Sequence, residues 1–252
     1  MKRALALALA AVLALAAPAH AFDWGEMLKG VVNKPASQTS SSGTGVDALS
    51  GTDINAALKE ALTRGADAAV AQLGVKDGFF GNPQLKIPLP KNLQKAEKAM
   101  RMVGMGQQAD DLVLSMNRAA EAAVPEARVL LVDAVKQMTL EDARGILTGG
   151  QTSATDFFRR KTETQLTEHF LPIVKTTTDQ VGLAQQYNRY AGMAAQFNLV
   201  DKSQSNVEQY VTQQSLDRLY TLIGEKEAAI RANPLQAGSD LLKKVFGAVT
   251  GK

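Results

Sequence analysis

From residue 52 onward the apolar positions recur at three- and four-residue intervals, the period of a helix that buries one face. Ile54, Ala57, Leu58, Ala61 and Leu62 begin the first run, which Thr52 or Asp53 caps and Gly74 ends. Further runs predict helices over 91–103, 107–124, 127–138 and 140–147, the last opened by a capping-box pattern, Thr139 with Asp142. Pro125 suits the first turn of a new helix. The run at 127–138 is apolar nearly all round, which predicts a central helix. A long helix opens at Thr152 or Ser153 and reaches Phe170, with a kink or restart expected at Pro172 before 173–181. Segments 183–197, 206–232 (one helix or two in series) and 239–246 follow.

One stretch breaks the period. Gly78-Phe79-Phe80-Gly81-Asn82-Pro83 is turn chemistry. After it, Leu85, Ile87 and Leu89 alternate with Lys86, Pro88 and Pro90. The prolines bar this segment from a central strand and leave two readings, an arm packed across helices or a peptide-binding edge. The expected fold is all-α, a single multi-helix bundle of about eight to ten helices with one extended Pro-containing arm near 78–90.

The N-terminus is patterned differently. Lys2 and Arg3 precede an apolar run from Ala4 to Ala17, and Ala19-His20-Ala21 fits a small-x-small cleavage site. Residues 1–21 are therefore expected to be a signal peptide cleaved after Ala21, which makes the protein exported, in the periplasm or its equivalent. Residues 22–32 form a short amphipathic segment with the only Trp, 33–51 a Ser/Thr/Gly-rich flexible linker, and 52–252 the helical domain. No later run is long enough to span a membrane.

Composition narrows the chemistry. Without Lys2 and Arg3 the 28 basic residues become 26, against 25 acidic ones, so no basic surplus points to nucleic acid, and stacking aromatics are sparse. The absence of Cys removes thiol catalysis and thiolate metal sites. His169 is the one His beyond the leader, so no His cluster can hold a metal. Neither a Gly-x-Ser-x-Gly elbow nor a phosphate or dinucleotide loop is present, and no cofactor is expected.

The candidate chemistry is a set of polar residues on apolar faces. Asn117 and Glu121 stand one turn apart between Leu114 and Val124, with Arg118 in reach of Glu121. A half-buried carboxylate needs such partners, so this trio is either a clasp fixing how two helices dock or a ligand-contacting cluster. Asp156, Arg159, Arg160 and Glu163 make helical ion-pair spacings, read as a solvated face or as partners for Glu121 or an anionic ligand. His169, placed on a stripe with Phe158, Thr162, Leu166 and Ile173, is expected in the core. Glu227 stands on the stripe of Leu216, Leu219, Tyr220 and Ile223 and can pair with Arg231. Acid–base work by Glu121 with Glu227 would require the two to meet in space.

Asp77-Gly78-Phe79-Phe80, Lys86-Ile87-Pro88-Leu89-Pro90, Met116-Asn117-Arg118-Ala119-Ala120-Glu121, Ala154-Thr155-Asp156-Phe157-Phe158-Arg159 and Leu241-Leu242-Lys243-Lys244-Val245-Phe246-Gly247 together resemble the bacterial domain of unknown function 4197 family, over about Thr52 to Gly247. The Met-Asn-Arg-Ala-Ala-Glu string is the most specific part. The resemblance implies an exported helical protein and implies no activity. The functional expectation is a non-enzymatic periplasmic domain that binds a partner protein or an apolar small ligand. The alternatives are a carboxylate/arginine enzyme such as a hydrolase or lyase, and a peripheral envelope protein docked through residues 22–32.

Overall fold

The computed structural model describes residues 51–102, 106–180, 182, 185, 187–188 and 206–232. Every regular element among them is helical: α1 (Gly51–Leu73), α2 (Lys91–Met102), α3 (Gly106–Ala123), a 3-10 turn (Val124–Glu126), α4 (Ala127–Lys136), α5 (Leu140–Thr148), α6 (Ser153–Gln180) and α7 (Val207–Ala232). The expected leader, amphipathic segment and most of the linker lie outside the described residues, as does the closing helix at 239–246. Of the helix expected over 183–197 only Gln185, Tyr187 and Asn188 are described, and they are helical.

Local chemistry sets the helix ends. Thr139 Oγ1 accepts from the Asp142 N–H while the Asp142 carboxylate accepts from the Thr139 N–H, both at 3.1 Å, so the predicted capping box forms. Pro125 sits in the 3-10 turn that joins α3 to α4. Asn206 caps α7 by accepting from the Gln209 N–H at 3.0 Å.

Three expectations change. The α6 helix runs through Pro172 without restarting. Pro172 and Glu168 are both exposed, so the Glu168 carbonyl that the proline cannot bond lies on a stretch of helix open to solvent. The α4 helix is one-sided rather than central: Ala127, Leu131 and Val135 are buried, but Val129 is 61% exposed. Gly51, expected in the linker, already belongs to α1.

Helices α6 and α7 pack along each other most extensively, and α3 and α1 close the core against them. One apolar cluster unites Leu73, Phe79, Ile87, Met116, Leu131, Phe157, Phe158, Phe170, Leu216 and Leu219. Each fully buried Phe or Leu contributes on the order of 1.5–3 kcal/mol. Phe79, Leu85, Ile87 and Leu89 enter this core from the segment between α1 and α2, so the arm is a packed layer of the fold. Its entry is tight. A Cβ on Gly78 would lie 2.5 Å from the Leu73 carbonyl oxygen, and Asp77 adopts φ 68°, a conformation open to Asp and Asn more readily than to other side chains.

Candidate functional site

Three carboxylates are buried among the described residues, Glu121, Glu208 and Glu227. Glu121 and Glu227 each hold backbone N–H groups of another segment, in different parts of the fold. Glu121, on α3, is 5% exposed. Its Oε1 accepts from the backbone N–H groups of Phe79 and Phe80, both at 3.1 Å. Its Oε2 accepts from Arg118 Nη1 at 2.5 Å, and Arg118 Nη2 donates to Asp77 Oδ1 at 2.7 Å. These bonds, first to Glu121 and then to Asp77, raise the guanidinium pKa above its usual value against an opposing desolvation. One turn earlier, Asn117 Oδ1 accepts from the Ile87 N–H at 2.8 Å while its Nδ2 donates to the Ile87 carbonyl at 2.9 Å and to the Val113 carbonyl at 2.7 Å. Its amide thus takes the place of a neighbouring strand for one residue of the arm.

The trio therefore clasps a turn and an arm onto a helix, instead of docking helix on helix. Tyr210 of α7 also holds the arm, its hydroxyl donating to the Pro88 carbonyl at 2.7 Å. The peptide-edge reading of the arm loses its basis. Ile87 has both backbone groups bonded to Asn117, and Pro88 and Pro90 have no N–H to offer.

Glu227, on α7, is 7% exposed and caps the start of α6. It accepts from the Ala154 N–H at 3.0 Å, the Thr155 N–H at 2.9 Å and the Thr155 hydroxyl at 2.7 Å. A carboxylate there meets orphan donors and the positive end of the helix. The predicted pair with Arg231 forms at 2.7 Å, and Arg231 also donates to the Ile146 carbonyl and to Ser153 Oγ.

The other candidates do not join either cluster. Asp156 is exposed and accepts from Thr152 Oγ1; Arg159 and Arg160 are not among its partners. Arg159 bridges Glu163 at 3.3 Å and Asp217 of α7 at 3.2 Å, with its guanidinium 4.6 Å from the Tyr220 ring centroid. It does not reach Glu121, whose Oε2 is taken by Arg118. His169 is exposed, correcting its expected place in the core. The buried stripe of α6 steps by four through Phe158, Thr162, Leu166, Phe170 and Val174, and His169 falls beside it. Glu121 and Glu227 share no hydrogen-bonding partner, so the two carboxylates do not form a dyad. Among the described residues no group of three or more His, Asp or Glu side chains can hold a metal.

Sequence reasoning missed Asp77, Ser153, Thr155 and Tyr210. The turn signal begins next to Asp77, at Gly78, but the partner of Asp77, Arg118 on α3, lies 41 residues away.

An apolar cleft borders the second cluster. Leu58, Ala61 and Gly65 of α1 line it together with Ile146, Phe158 and Ile230, and Glu227 and Arg231 are its charged lining residues. The cleft holds about 50 Å³, is partly open to solvent, and is walled almost wholly by carbon.

Burial also acts on the tyrosines of α7. It pushes the Tyr210 and Tyr220 hydroxyls up to about 12, with only partial opposition from Arg218 and from Thr162 respectively. The native state then binds more protons than the unfolded chain, whose tyrosines titrate near ~10. Stability is therefore full below pH ~10 and falls as pH rises toward ~12. A urea-midpoint series from pH 8 to 12 is expected to show this decline beginning near pH ~10.

The chain belongs to the family of proteins of unknown function DUF4197, whose sequence model matches residues 48–247. No curated protein and no solved structure matches the chain.

Proposed function

We propose that this is a non-enzymatic binding domain whose α1/α5/α6/α7 cleft takes a slender apolar group, such as the end of an alkyl chain. The cleft wall carries the reading, because Leu58, Ala61, Ile146, Phe158, Ile223 and Ile230 converge there with almost no polar surface. Its one charged boundary does not invite a charged head. Glu227 and Arg231 are turned on each other and on the start of α6. A volume of about 50 Å³ suits a chain a few carbons deep rather than a ring system.

The hydrolase or lyase alternative has less support. Its residues are dispersed among a clasp, a helix cap and a solvated face, and the carboxylates it would use are already bonded to backbone N–H groups. The same reading places the domain outside the cytoplasm behind a leader at residues 1–21, a segment at 22–32 and a linker at 33–51. It takes the full bundle to hold about eight to ten helices.

Gly65 provides the test. A Cβ there would lie 3.8 Å from Ile230 Cδ1 without clash, so Gly65→Leu fills the cleft from α1. Titrating the purified chain with linear alkanols of six to twelve carbons should raise Tm for the native sequence and leave Gly65→Leu unmoved. Equal shifts in both, or none in either, would overturn the proposal.

A further inference from the structure

A second concavity lies on another face, between the arm and helices α2 and α3, with a volume of about 510 Å³. Its chemistry is opposite to that of the cleft. Among the described residues, Lys86 from the arm, Lys98 and Arg101 from α2 and Asp110 of α3 are the charged groups that line it, three cationic and one anionic. Asp110 is already spoken for. Arg101 bonds both of its oxygens, and that contact holds the carboxyl below the usual carboxylate range. The apolar part of the wall is Pro88, Leu89 and Val113. Lys86 Nζ stands 4.0 Å from the ring centroid of Phe80, which also lines the groove, and this contact helps fix where the ammonium sits.

We infer that this groove docks an acidic peptide segment of a partner protein, one whose carboxylates alternate with apolar side chains. Carboxylates would meet Lys86 and Lys98, and apolar side chains would rest on Pro88, Leu89 and Val113. Charge complementarity selects the sign of the partner, and the apolar wall asks for more than a bare anion. The size of the groove suits a segment of several residues rather than a single phosphate or carboxylate. Recognition runs through side chains rather than strand pairing, because the Ile87 backbone is engaged by Asn117. The cations line a concave wall, a shape that receives an inserted segment better than it receives a flat bilayer.

A fluorescently labelled hexapeptide of alternating Glu and Leu tests this by anisotropy with the full chain. Saturable binding is expected, weakening in about 0.5 M salt as screening shortens the reach of the charges. Lys86→Glu with Lys98→Glu should weaken it by about tenfold or more, while Lys175→Glu, an exposed lysine on α6, should leave it unchanged. Circular dichroism and Tm of the double variant should match the native chain, since these side chains lie at the groove surface. Undiminished binding in the double variant, equal binding of a Lys–Leu hexapeptide, or no peptide binding at all would each overturn the inference. Flotation with vesicles rich in anionic phospholipid, lost in the double variant while the peptide fails to bind, would reassign the groove to a membrane surface.

Discussion

Glu121→Ala is expected to lower the unfolding free energy by about 3–5 kcal/mol, the range for breaking a buried ion pair from one side. Three losses coincide. The Phe79 N–H, buried in the core, and the Phe80 N–H beside it lose their acceptor. An unsatisfied buried donor costs roughly 1–3 kcal/mol. Arg118 loses its buried carboxylate partner and keeps Asp77, whose side chain is 49% exposed, and the Phe80 ring. Glu121→Gln should fall between, because its carbonyl oxygen can still accept from the two N–H groups while its amide presents a donor to Arg118. Arg118→Ala should cost least of the three, since Glu121 keeps both backbone bonds. Urea unfolding followed by circular dichroism ranks the variants. If Glu121→Ala loses less than ~1 kcal/mol, the carboxylate is not holding the turn, and its burial has to be explained by a ligand instead.

The position of this clasp was partly legible in the sequence. Asn117 and Glu121 occupy a stripe that continues through the fully buried Val124, and a polar residue at a core position demands a partner. The identity of the partner was not legible. Ile87 and Phe79 lie 30 and 42 residues upstream, and helical periodicity carries no information across that distance. The nearest clue was the arm itself, whose prolines argued against a strand and thereby raised the question of where its remaining backbone groups bond.

His169 shows a different limit. From Leu166 a helical stripe can step by three to His169 or by four to Phe170, and both steps fit a 3.6-residue period. The structure takes the four-residue step from Phe158 to Val174, so the imidazole is left outside. Val129 and Pro172 fail for a related reason. An apolar run does not say whether enough neighbours exist to cover all its sides, and a proline breaks a helix less where water can serve the carbonyl it frees. Helix class, the capping box and the Glu227–Arg231 pair were readable because each depends on residues within one or two turns.

Glu227→Ala is the second large expected effect, about 3–5 kcal/mol by the same one-sided removal of a buried pair. Its local signature differs from that of Glu121. Glu227 serves the first N–H groups of a 28-residue helix that forms one wall of the core, so its loss should fray the start of α6 before the rest. Hydrogen exchange at the Ala154 and Thr155 amides should accelerate well ahead of exchange near Leu166. Arg231, 15% exposed, would keep the Ile146 carbonyl and Ser153 but lose its bond to Glu227, and would draw water into the apolar cleft that both residues line. Arg231→Ala should be milder, because Glu227 retains its two backbone bonds and the Thr155 hydroxyl. The pair thereby connects stability to the proposed binding. An alkanol that occupies the cleft needs Ile146, Ala154 and Phe158 in place, so it should slow Ala154 and Thr155 exchange in the native chain. In Glu227→Ala its effect on Tm should shrink along with the order of that helix end. A Glu227→Ala chain of native stability with unchanged exchange at Ala154 would show that the cap is dispensable.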